Sequence, residues 1–278
     1  MRIDIITVFP EMVAGVLDHS IVKRARERGL VEIQVVNLRD YALDRHRTTD
    51  DVPYGGGGGM VMKIEPIARA LDALVDMEAP VRPRVILTDP RGQTFNQQMA
   101  RLLAQEAHLI LLCGHYEGVD DRVRQHLVTD VISIGDYVLT GGELPALVIV
   151  DAVTRLQAGA LGDAEAPEKD TFAEGLLEYP HYTRPRVFRN WAVPDILLCG
   201  NHALIARWRR WHQLRETRAH RPDLFARLQL STEDLYLLSA EEPQAPPEAL
   251  EALRRAQHLP SATCETETTV DCVEADNQ

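Results

Sequence analysis

Cysteine, aromatic residues and long apolar runs are all scarce in this 278-residue chain. Its four cysteines, Cys113, Cys199, Cys264 and Cys272, form no Cys-x-x-Cys pair. Neither a zinc site nor a disulfide framework is expected from them. Cys113 stands in an apolar run and reads as a small buried hydrophobe. No apolar run reaches the ~18 residues of a membrane helix. The N-terminal Met1-Arg2-Ile3-Asp4-Ile5 lacks a signal-peptide pattern. A soluble, cytoplasmic protein with no membrane partner is expected. The phosphate loop Gly-x-x-x-x-Gly-Lys-Ser/Thr is missing, which disfavours a nucleotide hydrolase. No internal repeat is found.

Positive charge is also short. Forty-two acids face 30 bases, for a net charge of −12. Taken whole, that argues against a polyanion partner, but the distribution decides where one could dock. Residues 202–227 carry seven arginines against Glu216 and Asp223. Residues 257–278 carry five acids and no Lys or Arg. Hydrophobic residues make up 45% of the chain, enough for a sizeable core.

Short apolar strands alternate with helical patterns through the first half. Strands are expected at 3–8, 31–38, 85–88, 109–113 and 131–134. Helices are expected at 11–28, 64–77, 96–107, 119–127 and 144–157, with a polar, glycine-rich loop at 39–60. This order implies an α/β domain with a mainly parallel sheet. The first domain is assigned to residues 1–159. Residues 160–175 hold Gly162, Pro167 and five acids and read as an interdomain linker. Residues 176–240 read as a smaller, helical and basic domain. Residues 241–278 read as an acidic, disordered tail, with a short helix possible at 248–255.

Two glycine-bracketed turns follow buried strands about one β-α unit apart. They are Cys113-Gly114-His115-Tyr116-Glu117-Gly118-Val119-Asp120 and Ser133-Ile134-Gly135-Asp136-Tyr137-Val138-Leu139-Thr140-Gly141-Gly142-Glu143-Leu144-Pro145. Glycines let such a backbone approach a flat ligand closely. Ligands of open α/β sheets sit outside the carboxyl ends of the strands. Leu87, Thr88 and Pro90 would form a third wall. Three ordinary strand-end turns remain the alternative reading.

Those motifs, with Pro180-His181-Tyr182-Thr183-Arg184-Pro185, resemble the bacterial tRNA (guanine-N1)-methyltransferases of the TrmD family, within the SPOUT superfamily. The resemblance runs from Ile3 to about Leu238. It implies a deep trefoil knot on the C-terminal side of the sheet, and S-adenosylmethionine bound in a bent form. It implies tRNA as substrate, with methylation at N1 of the guanosine just 3′ of the anticodon (position 37). It implies a homodimer with the active site at the subunit interface, and Mg2+ in methyl transfer, although no Asp/Glu cluster identifies its ligands. A SPOUT enzyme acting on a ribose 2′-hydroxyl and a non-catalytic RNA-binding protein are the rival readings.

The resemblance also distributes roles. Gly114 and Ile134, Gly135, Asp136, Tyr137, Val138 and Leu139 would contact the adenosine and ribose, with Gly141 and Gly142 giving the backbone room. Tyr116 and Glu117 would border the methionine and the target base, although Glu117 could equally cap a helix. Asp170 would take the guanine N1 proton as general base; its rival role is a helix N-cap. Arg155 would stabilise negative charge developing on O6, with Asp151 either orienting it or standing as a surface partner. The glycine loop Pro53-Tyr54-Gly55-Gly56-Gly57-Gly58-Gly59-Met60 would admit the base, Gly58 standing where the family usually has proline. As composition alone, that loop reads as a flexible linker. Arg45, His46, Tyr54, Gly55 and Gly59 are candidate RNA contacts there. His46 lacks a second ligand at metal spacing. His181, Arg184, His202, Arg207 and Arg210 are candidate RNA contacts in the basic domain. Trp208 and Trp211 fall on one helical stripe and read as packing residues.

Overall fold

A computed structural model describes residues 1–75, 82–163 and 166–258. The chain divides into two compact units, Met1–Ala173 and Glu174–Gln278. The division falls inside the acidic stretch 160–175.

In chain order the first unit contains β1 (Arg2–Thr7), α1 (Pro10–Leu17), α2 (Ser20–Glu27), β2 (Glu32–Asn37), β3 (Asp50–Asp51), β4 (Val61–Met62), α3 (Ile64–Leu74), β5 (Arg84–Thr94), α4 (Gln97–Leu103), β6 (His108–Cys113), α5 (Asp121–His126), β7 (Asp130–Ser133), α6 (Glu143–Thr154) and α7 (Ala166–Lys169). Five strands form one sheet in the order β2-β1-β6-β5-β7, and every pairing in it is parallel. β3 and β4 form a separate antiparallel ribbon.

Burial on both faces explains why β6 and the first half of β5 read as apolar runs, whereas the edge strand β2 alternates, with Glu32 and Gln34 exposed. In β6, Leu109, Leu111 and Cys113 enter one core with Val13 of α1 and Ala146, Ile149 and Val153 of α6. Ile110 and Leu112 enter the other, with Ile67 and Leu71 of α3 and Val123 of α5. α6 is apolar around most of its circumference because it is itself a core element.

Two expectations change here. The helix expected at 11–28 is two helices, α1 and α2. The chain turns at Ser20, whose φ is 53°, and Arg26 caps the end of α1 by donating to Leu17 O at 3.1 Å and to Asp18 at 2.8 Å. The strand expected to stop before Pro90 continues to Thr94. It leaves β7 after Thr88, bulges outward, and rejoins it at Gln93, so that Ile132 faces both residues. Gly92 permits the crossing, because a Cβ there would lie 2.5 Å from the backbone N of Ile132. Asp76 and Met77, expected at the end of α3, lie outside the described residues.

The second unit contains β8 (Val187–Phe188), β9 (Trp191–Ala192), α8 (His202–His220), α9 (Pro222–Phe225), α10 (Thr232–Ser239) and α11 (Pro247–His258). The hairpin β8–β9 was not expected; its strands of two residues are too short to show a period. Asn201 caps α8, accepting from Leu204 N at 3.2 Å. α8 buries Leu214 with Leu176 and Leu237, and Trp208 with Ile196 and Ala245. Trp208 is a packing residue, 1% exposed, and its indole donates to Glu242 at 2.7 Å. α11 covers the helix expected at 248–255, whereas residues 259–278, with Cys264, Cys272 and most of the acidic tail, lie outside the described residues. No helix among the described residues is long and apolar enough to cross a membrane.

Arg210 ties this unit together. It donates to both oxygens of Asp234, at 2.7 and 3.0 Å, while Asp234 also closes a capping box with Ser231. The Arg210 guanidinium chiefly holds the Asp234 carboxyl down to about 2, below the ordinary ~3.9. The clasp therefore stabilises the unit above about pH 4 and loses that contribution as the pH falls towards 2. All three tryptophans lie in this unit, so their emission reports its unfolding. Asp234→Asn should cost about 1.5–3 kcal/mol at pH 7 in urea titration. The deficit should shrink as pH drops through the acid range; a pH-independent deficit would contradict this assignment.

Candidate active site

The bulge of β5 and the carboxyl ends of β6 and β7 meet the N-terminus of α6 around a cavity of about 290 Å³. That is at the small end of the ~300–1,000 Å³ typical of ligand cavities. Its walls are the β5 bulge and the turns after β6 and β7, and they are bound to one another. Gly142 N donates to Gly114 O at 2.7 Å. Thr88 Oγ1 lies 3.2 Å from both Leu112 O and Gly142 O. His115 and Gly141 form an isolated antiparallel bridge. Glycine is required at this junction: a Cβ on Gly142 would lie 2.1 Å from Thr88 Oγ1 and 2.7 Å from Gly114 N. Behind the wall, buried Glu143 accepts from Thr7 Oγ1 at 2.7 Å. Burial, and then the Glu143 charge, push the Cys113 thiol up, so this cysteine is an inert core residue as expected.

The charge of the cavity is distinctive. Arg91 is the one Lys or Arg on its wall, and Asp89 takes it up in two bonds of 2.9 and 2.8 Å. That guanidinium holds the Asp89 carboxyl below the usual range. Glu117 also lines the cavity. Among the described residues lining the cavity no lysine or arginine is left unpaired for a phosphate, whereas a flat ligand carrying positive charge would be favoured.

Most residues expected around the ligand do line this cavity. Thr88, Pro90, Gly114, Tyr116, Glu117, Ile134, Gly135, Tyr137, Val138, Leu139, Gly141 and Gly142 are on its wall. Leu87 is not: its side chain is buried in the core shared with α3 and α5. Asp136 is exposed and off the wall. Asp89, Arg91, His115 and Pro145 line it without having been singled out. Asp89 and Arg91 flank Pro90, and that adjacency was the available signal. The cap of α5 is Asp120, which accepts from Arg122 N at 3.0 Å, so Glu117 is not the capping acid.

The glycine loop joins the same rim. Glu117 N donates to Met60 O at 3.0 Å, and Met62 N to Gly118 O at 2.9 Å. A Cβ on Gly59, whose φ is +81°, would lie 2.5 Å from the Glu117 side chain. Gly58, by contrast, has nothing within 4 Å. Arg45, His46, Tyr54 and Gly55 are exposed on the loop, and His46 N is tied to Asp44 at 3.1 Å.

Arg155 is the C-cap of α6 and donates to Asp170. No helix follows Asp170, only a turn in which Ala173 N donates to Asp170 O at 3.0 Å; the N-cap reading of Asp170 fails. Arg155 is thus held by Asp170 rather than by Asp151, which is exposed. Arg101 holds the same segment, donating to Pro167 O at 3.3 Å and Ala173 O at 3.2 Å. The cavity touches one end of α6 and the Arg155–Asp170 pair the other. The twelve residues of α6 separate Gly142 from Arg155, a span of ~20 Å at the helical rise.

In the second unit, His181, Arg184, His202 and Arg207 are exposed. His181 pairs with Glu178 at 2.8 Å. The arginines of α8 meet more acids than the local sequence provides: Arg207 pairs with Glu233 at 3.8 Å, and Arg210 with Asp234 and Glu174. Arg209 and Arg215 each lie 4.7 Å from an aromatic ring centre, those of Tyr179 and Trp211. Among the described residues no group of three or more His, Cys, Asp or Glu side chains could hold a metal ion.

The family model described as tRNA (Guanine-1)-methyltransferase TrmD matches residues 1–227. The chain belongs to the TrmD family. Similar proteins named tRNA (guanine-N(1)-)-methyltransferase occur in several bacteria. The one from Moorella thermoacetica is 60% identical over 234 residues, 84% of this chain and 94% of that protein. The one from Brevibacillus brevis is 56% identical over 242 residues, 87% and 98% of the two chains, and the one from Geobacter metallireducens 55% over 243 residues, again 87% and 98%. TrmD proteins are SPOUT methyltransferases, and membership implies S-adenosylmethionine as methyl donor. The cavity fits it: its glycines leave room for a flat group, and its charge suits a sulfonium.

Gly142→Ala should therefore abolish S-adenosylmethionine binding in calorimetric titration. Gly58→Ala, with open space around it, should leave the affinity within about twofold. Equal losses in the two variants would mean that the Gly142 junction does not shape the donor site.

Proposed function

We propose that the chain methylates N1 of the guanosine immediately 3′ of the anticodon (position 37) in tRNA, working as a cytoplasmic homodimer with its active sites at the subunit interface. The observation that carries this reading is the separation along α6. In one chain Gly142 at the cavity and Arg155 are ~20 Å apart along the α6 backbone, which sets the Arg155–Asp170 pair at the opposite end of the helix from the donor cavity. A twofold axis across α6 would run two copies of the helix antiparallel and set the C-terminal end of each against the N-terminal end of the other. The surface supports that arrangement. Leu144 and Val148 of α6, and Met12 and Val16 of α1 packed beside it, are 44–51% exposed. Apolar patches of this kind mark association sites.

S-adenosylmethionine, when bound, supplies an electrophilic methyl group on a cationic sulfonium. Gly114 and the turn from Ile134 to Leu139 hold its adenosine part, and Tyr116 and Glu117 face the methionine and the base. The trefoil knot belongs to the same reading, supported by the double pairing of β5 with β7 and the binding of the Gly142 turn to Gly114. Asp170 of the partner subunit accepts the guanine N1 proton. Arg155 of the partner subunit orients that carboxylate and stabilises charge developing on O6. Holding base and donor at near-attack distance supplies much of the acceleration. Arg45, His46, Tyr54, Gly55 and Gly59 guide the base past the glycine loop. His181, Arg184, His202 and Arg207 meet the RNA backbone, while Arg210 acts within its own unit. The magnesium ion implied by resemblance finds no ligand cluster among the described residues, and neither the proton step nor the methyl step is assigned to it.

Nucleoside mass spectrometry of a methylated tRNA transcript tests the reaction. 1-Methylguanosine is expected at the target position; a 2′-O-methylated nucleoside would overturn the assignment. Asp170→Asn should retain donor binding and lose about 10²–10⁴-fold in single-turnover rate. A near-normal rate would remove Asp170 from the proton step.

A further inference from the structure

The second unit carries an exposed aromatic hairpin that its packing does not use. Val187 and Phe188 of β8 pair with Ala192 and Trp191 of β9. Arg189 and Asn190 form the tip with φ values of 50° and 71°. Positive φ at both central residues defines the tight hairpin turn whose twist matches its strands. Asn is favoured there and Arg is not, so an arginine occupies a position where small residues fit better. Arg186 O accepts from Val193 N at 2.9 Å, extending the ladder below the tip.

The rings point away from the core. Trp191 is 69% exposed and Phe188 54%, and neither belongs to the hydrophobic clusters of the unit. Their ring centres are 6.1 Å apart at 52°, so the rings are not stacked on each other, and the Arg189 guanidinium lies over the Phe188 ring, 5.2 Å from its centre. The charge around them is one-sided. Between Pro180 and Asp195 stand Arg184, Arg186 and Arg189 against Asp195 alone. Arg186 is bound to Asp195 at 2.9 Å. Arg184 and Arg189 make no ion pair among the described residues, whereas Arg207 and Arg210 of α8 are paired with acids.

We infer that this hairpin is a stacking site for an unpaired nucleobase of the RNA substrate, with Phe188 and Trp191 giving the ring faces and Arg189 a phosphate contact. Open aromatic faces beside free guanidinium groups are the chemistry that recognises single-stranded nucleotides, whose bases are free to splay and stack. A paired RNA stem presents phosphates and hydroxyls and would need no exposed tryptophan. The inference rests on tRNA being the substrate, and it adds a recognition site in the second unit, apart from the donor cavity.

Trp191→Ala and Trp191→Tyr in the full-length chain test it. Binding to a tRNA transcript is measured across a salt series, with S-adenosylmethionine affinity and sedimentation measured alongside. Trp191→Ala should weaken tRNA binding about 5- to 100-fold, as loss of a stacked base does, with an unchanged salt slope. Trp191→Tyr should restore most of it. Arg189→Gln should reduce the salt slope by about one phosphate contact. Donor affinity and sedimentation should match wild type in all three. Wild-type tRNA affinity in Trp191→Ala overturns the inference, and formation of 1-methylguanosine by the same variant would show that the proposed function survives it. A change of oligomeric state in Trp191→Ala also overturns it, by giving this face to a second copy of the chain. A wild-type protein that neither binds nor methylates tRNA removes both readings together.

Discussion

The molecule depends on one close approach of backbone to backbone. Gly142 N bonds Gly114 O, and Thr88 Oγ1 sits between the carbonyls of Leu112 and Gly142. These contacts bring the ends of two neighbouring strands and the start of α6 to one point. No side chain fits there, so the glycine is fixed by space rather than by conformational freedom. Everything around the donor cavity follows from that junction: the turns that wall it, the glycine loop zipped to Glu117, and the direction in which α6 leaves. Gly92 solves a similar problem on the neighbouring crossing of β5 against β7.

The direction of α6 then shapes the chemistry. One face of this helix is packed in the core while Leu144, Val148 and Asp151 stay exposed, so it acts as a rigid spacer with a free outer face. One end contributes to the donor cavity, and the other holds Arg155 against Asp170. Under the proposed function, a second copy of the chain would bring the methyl donor of one cavity to the Asp170 carboxylate of the other chain. A site shared in that way would be absent from an unpaired chain, and catalysis would then depend on assembly. The second unit divides its arginines differently. Arg210 spends its charge on Asp234 to hold the unit together, whereas Arg184 and Arg189 near the exposed hairpin make no ion pair among the described residues.

Much of this was legible in the sequence, for identifiable reasons. Strands buried on both faces announce themselves as runs such as Leu-Ile-Leu-Leu-Cys, and the parallel α/β order followed from their alternation with helices. The glycine-bracketed turns located the cavity to within a residue or two. Leu87 was misplaced because strand parity was not applied: it points to the opposite face from the residues that line the turn. The break between α1 and α2 was hidden because the spacing of Met12, Val16, Leu17 and Ile21 resembles one continuous stripe. The arginines of α8 looked unpaired because their acids, Glu174, Glu233 and Asp234, come from other segments. The hairpin could not be read at all, since two-residue strands have no period. The family resemblance pointed to Asp170 and Arg155; their ion pair, and their distance from the cavity, required coordinates.

The central claim is that each active site combines a donor cavity from one chain with Asp170 from the other. Mixing two inactive variants tests it directly. Asp170→Asn keeps the cavity and Gly142→Ala keeps the carboxylate. After unfolding and refolding them together in equal amounts, half of the dimers of a freely assorting twofold pair are mixed, each with one intact site, so roughly a quarter of wild-type methylation should return. Activity no greater than the sum of the separate variants, in a mixture shown to contain mixed dimers, would contradict the shared site.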